Sequence, residues 1–348
     1  MTEARRHESG AAASRRHAAI DLLRGGSILY IVGFWHLLGY VDGIDGYKNA
    51  VTYRLTVVVL GLFTLMAGAL AGRREIRTSA DIWKYYRARF LRIVPPYWGA
   101  LMIFGLVGLL KWRDVKQGFV LLSAFNGDPL RTLWYVNMLV LFYAAAPLLL
   151  ILRHRLIART GSRQQAQLVL GGCLALGLGV LARLLGGLDP RLLLYFPAFA
   201  AGLLLSGPLL GSADGRSPLG SRDLALLGGL SVVALALSLG VPDRAMETSL
   251  HALPMATLVP AWLVVFTSSR LGDWSLPGWL QATSTASFFM YLLHRPLLKG
   301  LKAAAAGLEP AHPWWLLLVL LVIGVPLIVG LSWWGQRLYD RALRAMGW

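Results

Sequence analysis

Apolar stretches of about twenty residues recur along nearly the whole chain, at 18–40, 52–71, 93–111, 132–152, 167–187, 191–208, 223–241, 251–269, 279–300 and 314–335. As helices rising about 1.5 Å per residue, they match the roughly 30 Å hydrocarbon core of a bilayer. A chain inside lipid must satisfy its backbone polar groups internally, which favours helices over open strands. The pattern predicts an all-α polytopic membrane protein, a bundle of about ten transmembrane helices. Residues 112–131 depart from it: their apolar centre, Phe119 to Phe125, is too short to span and reads as an interfacial or re-entrant segment. The connection at Gly186, Gly187 and Pro190 is tight enough for a helical hairpin. No internal repeat or coiled-coil heptad is visible.

Composition removes the soluble alternative, since 56% of residues are hydrophobic and only 15% charged. The net charge of +17 would suggest nucleic acid as a partner for a soluble chain. Here it alternates between connections. Arg5, Arg6, Arg15 and Arg16, the run from Arg73 to Arg92, Arg153 to Arg163, and Arg337, Arg341 and Arg344 fall on one side. That side carries roughly twice as many cations as the other, which places both termini in the cytoplasm. The charge therefore faces membrane lipids and not nucleic acid. Residues 1–17 read as a disordered basic tail, 18–340 as one transmembrane domain and 341–348 as a short cytoplasmic tail. The single cysteine, Cys173, excludes an intramolecular disulfide, and no cluster has metal-ligand spacing. The first apolar segment is too long for a signal-peptide core and lacks a small-residue cleavage site.

Candidate chemistry lies in two places. The first segment, Ala18 to Tyr40, holds Asp21, Arg24 and His36. Ionisable groups at membrane depth cost a few kcal/mol each, so they call for a reason. Asp21 and Arg24, one helical turn apart at the inner edge, read as structural or supporting residues, paired with each other or with other inner-side groups. His36 fits an interhelical hydrogen bond, an interfacial site beside Trp35 and Tyr40, or a proton-transfer role. Its candidate acid partners are Asp42, Asp45 and Asp128. The second place is the inner loop 72–98. Ser79 and Asp81 offer N-cap chemistry, and Trp83, Tyr86, Phe90 and Ile93 recur as on an amphipathic helix lying on the membrane surface. Pro95 and Pro96 are expected to end that helix. Arg89 and Arg92 share a face beside the break, a multidentate pair suited to phosphate. Arg73, Arg74 and Arg77 read as topological charge.

Three motifs in order, Asp21-Leu-Leu-Arg24 followed by His36, Arg89-Phe-Leu-Arg92-Ile-Val-Pro95, and Tyr291-Leu-Leu-His294-Arg-Pro296, resemble the acyltransferase-3 family of bacterial integral membrane acyltransferases. The likeness spans essentially the whole hydrophobic chain. It implies multi-pass insertion in the bacterial cytoplasmic membrane. It also implies acyl transfer from cytoplasmic acyl-coenzyme A, by family frequency acetyl-CoA, acting as co-substrate with no tightly bound cofactor. The acceptor it implies is a hydroxyl of a saccharide, a lipid-linked glycan or a secreted small molecule. By that resemblance His36 is the catalytic residue, and Arg89 and Arg92, with Arg87 beside them, serve the donor. Tyr291 and His294 match family positions with a supporting role, and Trp134 and Tyr143 are expected in a pocket wall. The chain departs from the family in Trp134 to Tyr143, where Leu139, Val140 and Leu141 replace acidic and polar residues common in other members, and at Ala67-Gly68, where Ser-Gly is frequent.

A helix rises about 22 Å from Asp21 to His36, which separates the histidine from the inner arginines. A donor with its phosphates on Arg89 and Arg92 reaches His36 only through its long pantetheine arm. A transporter or flippase using His36 and Arg24 along a substrate path is the competing expectation. The missing repeat and the scarcity of intramembrane carboxylates count against it.

Overall fold

The computed structural model describes residues 18–121, 123, 130–184, 189–207, 220–271, 275–305 and 313–347. The tail 1–17, the hairpin glycines Gly186 and Gly187, and Asp128 lie outside the described residues. Among the described residues every regular element is helical. In order they are α1 (Ala18–Tyr30, continued by a π-helical turn Ile31–His36), α2 (Ala50–Gly72), α3 (Ser79–Leu106), α4 (Trp112–Phe119), α5 (Trp134–Thr160), α6 (Arg163–Leu184), α7 (Pro190–Leu204), α8 (Ser221–Ser238), α9 (Leu253–Arg270), α10 (Gly278–Ala304), α11 (Pro313–Val319, continued by a π turn Leu320–Gly324) and α12 (Val325–Ala345). Each of the ten predicted apolar segments falls on one of these helices. Among the described residues, six stretches are by themselves long and apolar enough to cross a membrane: Ala18–His36, Ala50–Gly72, Arg131–Thr160, Ser221–Ser238, Leu250–Arg270 and Pro313–Ala345. The protein is an all-α polytopic membrane protein.

Burial separates centre from rim. In α2, 83% of the most apolar stretch is buried, against 17% in α8, so α2 is the hub and α8 faces the surroundings. Lipid is as apolar as leucine, so hub helices associate by close packing of small residues more than by hydrophobic burial. Gly68 and Gly72 of α2 and Gly202 of α7 do this: a Cβ on Gly68 would run into the Phe199 carbonyl, one on Gly72 into Leu203 and one on Gly202 into Leu65. Arg153 of α5 closes that end by donating to the carbonyls of Leu203 (3.0 Å) and Gly72 (3.2 Å).

Three sequence expectations change here. The predicted surface helix and third crossing are one continuous helix, α3, with Pro95 and Pro96 inside it. Proline removes the donor for the carbonyl four residues back, which for Pro95 is Leu91, and the Tyr339 hydroxyl of α12 donates to that carbonyl. A side chain from a neighbouring helix thus allows the helix to continue. Its N-cap is Thr78, whose side chain and Asp81 form a reciprocal capping box, in place of Ser79. At the other terminus α12 runs to Ala345, so much of 341–348 is helix rather than tail.

The short helix α4 stays at one end of the bundle. Tyr97 and Trp98 of α3 donate to the carbonyls of Gly118 and Phe119 (3.2 and 3.3 Å). Tyr86, near the start of α3, donates to Ala144 in α5 at 2.7 Å. α5 therefore runs back antiparallel to α3, as expected if 112–131 does not cross.

Candidate active site

Two helices, α1 and α10, carry most of the site and run side by side. Gly25 allows the approach, since a Cβ there would lie 2.6 Å from Leu280 Cδ1. Ser284 donates to Asp21 Oδ1 at 2.6 Å, and Arg24 donates to Ser287 at 2.9 Å. Asp21 and Arg24 are thus each tied to α10. The π turn then decides where His36 points. In a regular α-helix the twelve steps from Arg24 would carry His36 about 120° around the axis. A π turn absorbs one extra residue, so the spacing acts as about eleven steps and leaves His36 within about 20° of the Arg24 face. That face packs on α10.

There His36 Nδ1 lies 2.8 Å from His294 Nε2, with the two rings nearly parallel at 13° and their centroids 4.8 Å apart. His294 is fully buried, and its Nδ1 sits 2.9 Å from the Tyr291 carbonyl and 3.1 Å from that of Met290. His36 keeps partial accessibility. The acid partners expected from the sequence are engaged elsewhere, Asp42 with Lys302 at 2.8 Å and Asp45 with Lys48 at 3.3 Å. The neighbour of His36 is an imidazole.

A cavity of about 370 Å³ occupies the half of the bundle nearer the arginines. Arg89, Arg92, Asp21, Arg24 and Asp340 line its charged part, and α2 contributes apolar wall through Phe63, Met66, Ala67 and Leu70. Arg89 places its guanidinium over the Tyr143 ring at 4.6 Å and near Tyr85 at 5.6 Å. At the far end Tyr135 and Tyr291 form the ceiling, their ring centroids 5.6 Å apart. Their hydroxyls are held, Tyr135 against Thr64 at 2.8 Å and Tyr291 donating to the Thr132 carbonyl at 2.5 Å. The Tyr291 ring in turn lies 5.8 Å from that of His294. The cavity and the histidine pair thus share one aromatic wall.

The remaining expected residues divide. Tyr143 lines the cavity, whereas Arg87 points away on the exposed face of α3. Trp134 stands at the opposite end, its ring under the Arg191 guanidinium at 4.3 Å and 6.1 Å from the Tyr195 ring. Several contributors carry no signal in the sequence. Ser284 and Ser287 look like ordinary helix residues until α10 is placed. Asp189 and Arg191, paired at 3.0 Å, join Trp134 and Asn137 around a small void. Glu247, in the connection before α9, has its carboxyl pushed above the usual carboxylate range by burial, against the opposing charges of Arg191 and Arg295. Among the described residues no cluster of His, Cys, Asp or Glu is set to hold a metal.

Residues 17–334 match the acyltransferase domain of the acyltransferase-3 type. The chain belongs to that family. No curated protein and no solved structure matches it. Membership covers nearly the whole chain and includes both halves of the site, so this family member is a multi-pass membrane acyltransferase.

Proposed function

We propose that the protein transfers an acyl group, in the first instance acetyl, from acyl-coenzyme A to a hydroxyl of a saccharide or related acceptor, in a bacterial cytoplasmic membrane. One observation carries the reading: a single cavity opens among Arg89 and Arg92 and ends at Tyr291, whose ring touches His294, the partner of His36. The donor's phosphates bind the two guanidinium groups, which suit planar, multidentate anion recognition. Its pantetheine arm follows the apolar wall and brings the thioester to the aromatic ceiling.

His36 acts as general base. As the acceptor oxygen attacks the acyl carbonyl carbon, its proton passes to His36 Nε2. The C–S bond then breaks, and the same proton leaves His36 for the departing coenzyme A sulfur. The acceptor carries the acyl group as an ester, and the histidine is restored. A positioned base of this kind contributes roughly 10²–10⁴-fold.

The test is thiol release from acetyl-CoA by purified protein in detergent. His36→Ala is expected to lose about a hundredfold or more of the turnover, and turnover equal to the wild type would defeat the base role. Failure of the wild-type protein to consume any acyl-CoA, with or without saccharide acceptors, would defeat the reading as a whole.

A further inference from the structure

The proton positions in the histidine pair follow from the groups around it, given the general-base role proposed for His36. The two nitrogens of each ring meet different partners, and those partners determine which nitrogens carry hydrogen. His294 Nδ1 faces two carbonyl oxygens, Tyr291 at 2.9 Å and Met290 at 3.1 Å. A carbonyl only accepts, so His294 Nδ1 must carry the proton. A neutral imidazole then has its lone pair on Nε2, and that atom lies 2.8 Å from His36 Nδ1. For this contact to be a hydrogen bond, His36 Nδ1 must donate. His36 is then left with a hydrogen on Nδ1 and a bare lone pair on Nε2.

The alternative assignment gives His294 hydrogens on both nitrogens, so that it donates to His36. It would put a positive charge on a fully buried ring. Among the described residues no carboxylate lies within ion-pair distance of either imidazole. An uncompensated buried charge of this kind is strongly disfavoured.

We infer that His294 is the positioning residue that sets the tautomer and the ring plane of His36, doing with an imidazole and two helix carbonyls what a buried carboxylate does in a Ser-His-Asp triad. The division of labour between the rings follows from access: His36 keeps partial accessibility and meets the substrate, while His294 is sealed and does not. When His36 Nε2 takes the acceptor proton, the charge that forms is met through Nδ1–H by the His294 lone pair. Behind it stand the dipoles of the Met290 and Tyr291 carbonyls. No carboxylate takes part and no second proton needs to move.

The deciding measurement is ¹⁵N NMR of histidine-labelled protein in detergent micelles, assigned with His36→Ala and His294→Phe. In the wild type, His36 is expected as the Nδ1–H tautomer. His294→Phe keeps a stacked ring but offers no acceptor, so His36 should shift towards Nε2–H. Turnover of acetyl-CoA should fall tenfold or more in kcat, with the donor KM little changed. His294→Gln, whose side-chain oxygen can reach the place of Nε2, should recover part of that loss. A wild-type His36 carrying its hydrogen on Nε2 would overturn the inference without any variant. So would unchanged kcat in a folded His294→Phe. A dead His36→Ala together with a tautomer indifferent to residue 294 would sink this assignment alone, whereas an active His36→Ala would remove the base role beneath it.

Discussion

The guanidinium carbon of Arg89 lies 4.6 Å from the centre of the Tyr143 ring, so an arginine of α3 reaches across the cavity to α5. This contact holds the planar group where a phosphate would meet it, and Arg92 stands one helical turn on at the mouth. Replacing both arginines by alanine should raise the KM for acetyl-CoA about a hundredfold or more, since each charge-assisted bond contributes roughly 1.5–3 kcal/mol. The KM for the acceptor should stay where it is. Arg89→Lys should restore little, because an ammonium neither stacks as the guanidinium does nor forks onto phosphate. Steady-state kinetics with each substrate varied in turn makes the check.

Tyr135 and Tyr291 close the cavity at the end away from Arg89 and Arg92, where the proposed function puts the acyl chain. Tyr135→Ala should open that end. The expected result is a higher ratio of octanoyl-CoA to acetyl-CoA turnover than in the wild type. An unchanged ratio in a folded variant would place the acyl group elsewhere.

The α2–α7 contact leaves no room for a methyl group. Gly68→Ala and Gly202→Ala should each destabilise the bundle by about 1–3 kcal/mol, as overpacking of a filled interior does. In detergent this should show as a melting temperature lower by several degrees. Gly26→Ala on α1, where a Cβ would meet nothing within 4 Å, is the control and should leave the melting temperature near that of the wild type or above it.

Glu247 predicts a pH effect of definite sign. Its folded pKa is raised, chiefly by burial, so its contribution to stability is present below the ordinary glutamate value and lost as pH rises through the folded value. Glu247→Gln removes the charge that burial penalises. The variant should melt above the wild type at pH 8, and the gap should narrow towards pH 4. Parallel thermal scans across that range test it.

Much of this architecture was legible in the sequence because lipid enforces it. A bilayer rewards uninterrupted apolar stretches of set length, so the apolar segments that become helices follow from hydropathy. The motif residues Asp21, Arg24, Arg89, Arg92, Tyr143 and Tyr291 converge on one cavity, and His36 meets His294 beside it. What escaped the sequence depends on partners distant in the chain. Nothing local announces that Tyr339 satisfies the carbonyl left by Pro95, so the prolines read as a break. Nor does the run Ile31–His36 declare a π turn, without which His36 would face away from α10. The aspartates near His36 in sequence are not its neighbours, whereas the residue beside it lies 258 residues on and is another histidine. Arg87 is close to Arg89 in sequence, but two residues turn a helix by about 200°, and its side chain is exposed.

The bond from Tyr339 to the Leu91 carbonyl bears on how the protein is made as well as how it stands. Residues of α12, Gln336 and Asp340 among them, complete the wall around Arg89 and Arg92. A ribosome delivers this helix after every other element that lines the chamber. Until it arrives, the arginine helix lacks its clasp and the chamber lacks a side. The order of translation thereby leaves the chamber open on one side until the helix that completes it has been made.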